Sequence, residues 1–307
     1  MPPVTTGSFS NHLAPGIRQI VGTNLGGRAA YYSQFCNVET STRNYEDYLA
    51  GTGLPIAQNK GEGVDITSYD PIEGGTQRLS HTVYAIGFEV SEEAWEDDLY
   101  AGRGSAIRDG SNGMADSLAE RVEVECHAPL QQANWATYTV LPDSTAWIAT
   151  SHNPVTGGLG AAQANRPSVD VDFSVTSFRA ALTTFRKYTN DQGLRIPNYT
   201  WPTQLIIPPD TEWDAKEILQ STYRPDTVAR VENVTKNEVS ILVDPYITDT
   251  DQWLLRAPKH HLYMLWRWRP RMDNFDDRRA RVAVFVGYER FVCRPVHWLG
   301  WYGSSGA

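Results

Sequence analysis

The chain has 307 residues and a formal charge of −9, from 27 Lys and Arg against 36 Asp and Glu. Its length fits one large domain or two closely joined ones, and 41% hydrophobic with 21% charged content excludes wholesale disorder. The acidic balance argues against tight, non-specific nucleic-acid binding, and no apolar run reaches the 18 residues of a membrane-spanning helix.

The opening "MPPVTTGSFSNHLAPG" has neither the basic nor the apolar region of a secretion signal, so none is expected. Residues 1 to about 45 mix Gly, Ser, Thr, Asn and Pro, which predicts an extended arm with one short helix near Ile17 to Val21. An arm with so little apolar periodicity must lie on the same chain or on a neighbour. Residues 46–82 are rich in Gly and charge and predict a long, loosely packed β-hairpin. "TVYAIGFEV" then alternates, placing Tyr84, Ile86, Phe88 and Val90 on one face of a half-buried strand.

Ser91 is placed to cap a helix beginning "EEAWEDD", with acids in its favourable first turn. "DGSNG" at 109–113 predicts a break. From Met114 a helical stripe of Ala115, Leu118, Ala119, Val122 and Cys126 resumes, and Pro129 should end it. Residues 143–170 read as loop, and Val175, Phe178, Leu182 and Phe185 as the inner face of a helix. "QLIIPP" reads as a strand stopped by proline. Thr211 with Asp214 gives a capping pattern for a helix that buries Ala215, Ile218, Leu219 and Thr222. "EVSILVDP", with Val239, Ile241 and Val243 on one face, and "RVAVFVGYERF" are further strands.

Little in the chain suggests catalysis. There is no Gly-x-Ser-x-Gly elbow, no phosphate-binding loop and no dinucleotide fingerprint. His260 and His261 are adjacent, with Asp249 and Asp251 upstream. Neighbours on a strand point to opposite faces, so they read as ordinary loop residues and not as metal ligands. Cys36, Cys126 and Cys293 form neither a disulfide framework nor a zinc spacing, which predicts buried or semi-buried thiols in a reducing compartment, with no metal and no cofactor. Asp97 and Asp98 diverge by about 100° on a helix and make no catalytic pair. They read as a solvated first turn or an intersubunit ion pair. "WRWRPR" could stack on bases, but Asp273, Asp276 and Asp277 follow, then Arg278, Arg279 and Arg281. The mixed signs point to ion pairing between strands or subunits. Ten dispersed tryptophans form no periodic sugar-binding array, and aromatics of this kind are used by large protein interfaces.

The ordered segments "HTVYAIGFEVSEEAWEDDLY", "GLRIPNYTWPTQLIIPPDTEWDAKEILQS", "ILVDPYITDTDQWLL" and "RPVHWLGWYGSSGA" together resemble the major capsid proteins of tailed bacteriophages, especially the Mu-like major head subunits. The match rests on Gly193, Pro202, Pro208, Ala215, Ile218, Leu219, Ser221, Val243, Pro245, Tyr246, Asp249, Trp253 and Leu255, and covers residue 30 onward.

The resemblance implies an α+β, HK97-type capsid fold. Its expected parts are an N-terminal arm (1–45), an extended loop (46–82) and a peripheral domain with a long spine helix (83–134). An axial domain (135–270) and a C-terminal strand returning to the peripheral domain (271–307) complete it. It implies a non-enzymatic structural protein that assembles as hexamers and pentamers into an icosahedral head around weakly held double-stranded DNA. Portal, scaffolding and decoration proteins would be its partners, the virion its location, and the host cytoplasm its place of assembly. Arm and loop would lie on adjacent subunits. Intersubunit contact candidates are Lys60, Glu62, Asp97, Asp98, Arg267, Arg269, Arg271, Asp276 and Asp277. Some relatives join subunits through a Lys–Asn isopeptide bond near a glutamate. Lys60 and Glu62 occupy the matching loop, but the last 25 residues hold no Asn, so no cross-link is expected. The alternatives are an encapsulin-like nanocompartment shell, a metal-dependent hydrolase using His260, His261 and Asp249, and a Trp-rich carbohydrate-binding β-protein.

Overall fold

The structure is a computed structural model, and it describes residues 30–91, 93, 106–196, 199–223, 231–277 and 281–307. The arm before residue 30, including the short helix expected near Ile17, lies outside the described residues, as does nearly all of the "EEAWEDD" segment with Asp97 and Asp98. In chain order the early strands are β1 (Asn37–Thr40), β2 (Tyr45–Gly51), β3 (Glu73–Ser80), β4 (Thr82–Ser91), β5 (Thr139–Val140) and β6 (Thr145–Ala146). The later ones are β7 (Gln204–Ile207), β8 (Ser240–Val243), β9 (Trp253–Arg256), β10 (Leu262–Asp277), β11 (Val282–Pro295) and β12 (Trp301–Ser304). The helices are α1 (Ala106–His127), α2 (Val175–Phe185) and α3 (Glu212–Gln220).

The chain divides into two compact units. The first takes Met1–Asn44, Ser80–Cys126 and Met264–Cys293, and the second takes Tyr45–Leu79, His127–Tyr263 and Arg294–Ala307. The expected boundaries differ at the end of the chain. Residues 294–307 belong to the second unit, because β12 pairs antiparallel with β9 and is buried along its whole length.

In the first unit the sheet order is β1-β10-β11-β4. β11 runs antiparallel to β4, setting Phe285 opposite Phe88 and Glu289 opposite Tyr84. The alternation expected for β4 holds at Tyr84, Phe88 and Val90, which are half-buried, whereas Ile86 is exposed. Met114, Ala115 and Leu118 of α1 form a core with Met272 and Phe285, and Phe88, Val90 and Ala283 pack against it.

The break expected at "DGSNG" does not occur, since α1 runs through Asp109 to Gly113. Tertiary packing overrides the weak local propensity. A Cβ at Gly110 would lie 3.1 Å from the Phe88 ring, and one at Gly287 would lie 2.9 Å from both Met114 Sδ and Leu118 Cδ1. Glycine at both positions lets helix and sheet approach closely. The helix ends at His127, and Pro129 sits in the 3-10 turn that follows.

In the second unit the sheet order is β12-β9-β7-β8, with β7 and β8 parallel. Leu205, Ile206 and Ile207 are fully buried, as a strand covered on both faces requires. Ser174 caps α2 by accepting from Ser177 N at 3.1 Å, and Ser177 Oγ accepts from Ser174 N in return. α3 buries Ala215, Ile218 and Leu219 as expected, but Thr222 is exposed beyond its end. The Thr211 cap is not made. A 3-10 turn over Pro209–Thr211 leads into α3, and the Thr211 hydroxyl donates to Pro208 O instead.

Most of the described tryptophans are buried core residues. Trp135, Trp147, Trp253, Trp298 and Trp301 are buried in this unit, and the rings of Trp147 and Trp301 meet edge-on at 5.0 Å. Of the described tryptophans here, Trp201 and Trp213 are exposed. Buried Asn165 pins the expected loop at 143–170. Its Nδ2 donates to Trp147 O and its Oδ1 accepts from Ala149 N, each at 2.8 Å. β2 and β3 form a two-stranded ribbon, and residues 52–72 between them contain no strand.

Candidate assembly surface

The ribbon and its tip are built to face outward. At the base, Arg78 grips Asp47 with two 2.8 Å hydrogen bonds, and its guanidinium lies 3.8 Å from the Tyr45 ring centroid. Thr52 N donates to Ile72 O at 3.0 Å, closing the neck. Beyond it, Lys60 and Glu62 are both exposed, and so are their apolar neighbours. Ile56 is 67% exposed, Val64 60% and Ile66 75%, values far above those of a side chain with an intramolecular partner surface.

The first unit carries a second outward apolar feature. A groove of about 470 Å³ runs between α1 and β4, lined by Tyr84, Ile86, Leu118, Glu120, Arg121 and Val124. Arg121 is ion-paired with Glu125, and its guanidinium stacks 4.5 Å from the Tyr84 ring centroid. Nearby Glu289 is fully buried, and neither carboxylate oxygen has a hydrogen-bond partner. Burial pushes its pKa up to about 8, against the pull of Arg121. The sequence held a signal for this position. Phe285, Gly287, Glu289 and Phe291 alternate onto the buried face of β11.

The Arg–Trp run of β10 forms a stacked ladder. Arg269 lies over Trp266 at 4.9 Å, and Arg271 over Trp268 at 4.2 Å and Tyr288 at 5.2 Å. Arg290 approaches the Trp268 ring at 5.4 Å. Arginines of this run thus stack on neighbouring rings in cation–π geometry. Arg267 leaves Nε and Nη1 without hydrogen-bond partners. Asp273 accepts from the Tyr288 hydroxyl at 2.6 Å, Asp277 is exposed, and the side chain of Asp276 lies outside the description.

His260 and His261 lie in the loop between β9 and β10, as expected, but are enclosed there. His260 is buried, with its Nε2 3.0 Å from Arg256 Nη1, and His261 stacks on Tyr199 at 5.1 Å. Burial, then Arg256, brings the His260 pKa down to about 3, and burial brings His261 to about 4. Asp249 accepts from Asp251 N and does not join the histidines in a ligand cluster among the described residues. The group that spacing concealed is Cys36, Cys126 and Cys293, whose sulfurs converge in the first unit.

Among the described residues, no helix is long and apolar enough to cross a membrane. Residues 76–303 match the family described as phage capsid protein. No curated protein matches the chain. Solved structures resemble it over most of its length at low identity. The capsid of the cyanophage P-SCSP1u has a TM-score of 0.59 at 10% identity, covering 91% of this chain and 89% of that chain. The capsid of the native GTA particle has a TM-score of 0.58 at 12% identity, covering 91% of each. The capsid of the Myoviridae phage XM1 has a TM-score of 0.54 at 11% identity, covering 91% and 92%.

Proposed function

This chain belongs to the phage capsid protein family, and we propose that its copies close as hexamers and pentamers into an icosahedral head around double-stranded DNA. It is a structural, shell-forming component of the virion and not an enzyme, and its α+β architecture is the HK97-type capsid fold. The family match over residues 76–303 carries this reading.

The finer parts follow from the surfaces. The first unit, with α1 as spine helix, serves as the peripheral domain, and the second, with its β7–β9 sheet, as the axial domain. The exposed apolar tip at 52–72 docks on a neighbouring subunit, with Lys60 and Glu62 at the contact. The arm, Asp97, Asp98, the Arg267–Arg271 run and the acids at Asp276 and Asp277 supply further intersubunit contacts. Portal, scaffolding and decoration proteins join in the host cytoplasm, and the net charge of −9 lets the shell hold DNA without gripping it. The segments around Gly193–Ser221 and Val243–Leu255 support a resemblance to the Mu-like head subunits.

Electron microscopy of the purified chain, alone and with candidate scaffolding partners, tests this. Closed shells or rings of five and six are expected. A compact monomer under every condition, with residues 52–72 resistant to protease, overturns it.

A further inference from the structure

Three cysteines remote in sequence meet inside the first unit. Cys36 follows a 3-10 turn, Cys126 lies in the last turn of α1, and Cys293 lies near the end of β11. The turn itself is tied to the helix, since Tyr31 N and Tyr32 N donate to the two carboxylate oxygens of Glu123 at 2.9 and 3.0 Å. None of the three is in a disulfide, and all are buried. Their sulfurs lie within 4.8 Å of one another, and those of Cys36 and Cys293 are 3.7 Å apart.

The spacing suits a shared ion better than a covalent pair. Thiolates bound at about 2.3 Å to one metal stand roughly 3.8–4.0 Å apart, in tetrahedral or trigonal arrangement. A disulfide needs about 2.05 Å, so Cys36 and Cys293 would have to move well over an ångström. Among the described residues no His, Asp, Glu or further Cys joins the group as a fourth donor. Hard cations require oxygen ligands, and structural zinc takes four donors. Three sulfurs in a buried site suit a soft ion content with three ligands.

We propose that Cys36, Cys126 and Cys293 form a three-sulfur site for one soft, thiophilic metal ion, with Cu(I) as the occupant that fits best. Each thiol releases its proton to solvent as its copper–sulfur bond forms, and copper remains Cu(I) throughout. The ion ties the stretch after the arm to the end of the spine helix and to the last long strand.

The full-length chain, reduced and kept free of oxygen, is titrated with Cu(I) against a chromogenic Cu(I) chelator. One ion per chain is expected to be withheld from the chelator, and Cys126→Ala to weaken that retention at least about tenfold. X-ray absorption at the copper edge on the unaltered chain should show a first shell of three sulfurs, a readout that does not depend on any variant folding. Failure of the chain to withhold copper overturns the proposal. So does a first shell containing nitrogen or oxygen, undiminished retention in Cys126→Ala, or conversion of Cys36 and Cys293 to a disulfide in place of metal uptake.

Discussion

The two units solve the problem of a core differently. The second is filled by large rings, with Trp147, Trp253, Trp301, Phe178 and Phe185 almost wholly buried and many in edge or tilted contact. The first relies on one helix laid on one sheet through Met114, Leu118, Met272 and Phe285. It also buries a carboxyl group without a hydrogen-bond partner and three thiols. Unpartnered buried polar groups oppose stability, and both units hold some, such as Glu289 in the first and Gln204 in the second. Among the described residues, most buried tryptophans belong to the second core, with Trp266 buried in the first unit. The case for assembly rests instead on apolar side chains left outside either core, such as Ile56, Val64 and Ile66.

The largest expected effect is in the aromatic core. Trp301→Ala should destabilise the unassembled subunit by about 3–5 kcal/mol, read by denaturant unfolding. A loss below about 1 kcal/mol would remove the distinction between the units, because surface positions cost no more than that.

Acid and base should separate the units next. Folded Glu289 holds its proton up to about pH 8, whereas its ordinary pKa is 4.5. The folded chain binds the extra proton between those values, so this group makes stability fall as pH rises through that window. His260, His261 and His297 behave oppositely. Burial first, with neighbouring charged groups at His260 and His297, lowers them from 6.5 to about 3, 4 and 3. The unfolded chain then binds more protons, so their contribution is complete above 6.5 and is lost as pH falls toward 3. Glu289→Gln should flatten the decline between pH 4.5 and 8, by about 1–3 kcal/mol at pH 8, and leave the histidine-linked loss below pH 4.5 unchanged in urea titrations across pH. An unchanged decline between pH 4.5 and 8 would mean that Glu289 does not carry it.

A smaller change is expected at the start of α2. Ser174→Ala removes one half of a reciprocal cap and should cost about 1 kcal/mol in the same unfolding assay. The smallest change in subunit stability belongs to the ribbon tip. Replacing Ile56, Val64 and Ile66 together by Ser should shift unfolding by no more than about 0.5 kcal/mol yet abolish shells in electron micrographs. Normal shells from that variant would show that the tip is not an intersubunit contact.

Much of the fold was legible where one short stretch contains its own instructions. The stripe of Val175, Phe178, Leu182 and Phe185 behind Ser174 marked α2, and the apolar run before Pro208 marked β7. The alternation of Tyr84, Phe88 and Val90 marked β4, and the ordered segments after residue 30 pointed to the capsid family. These signals survive because helix and strand periods act over a few residues.

Tertiary structure decided what depends on distant partners. Gly110 and Gly113 sit inside a continuous helix, with Gly110 set against Phe88 and Gly287 against Met114 and Leu118. His260 is a buried loop residue because Arg256 of β9 and the Trp301 ring of β12 close over it. Cys36 and Cys293 stand 257 positions apart in the chain and 3.7 Å apart in space. Local sequence records the preferences of neighbouring residues, and packing selects which remote residues share a space.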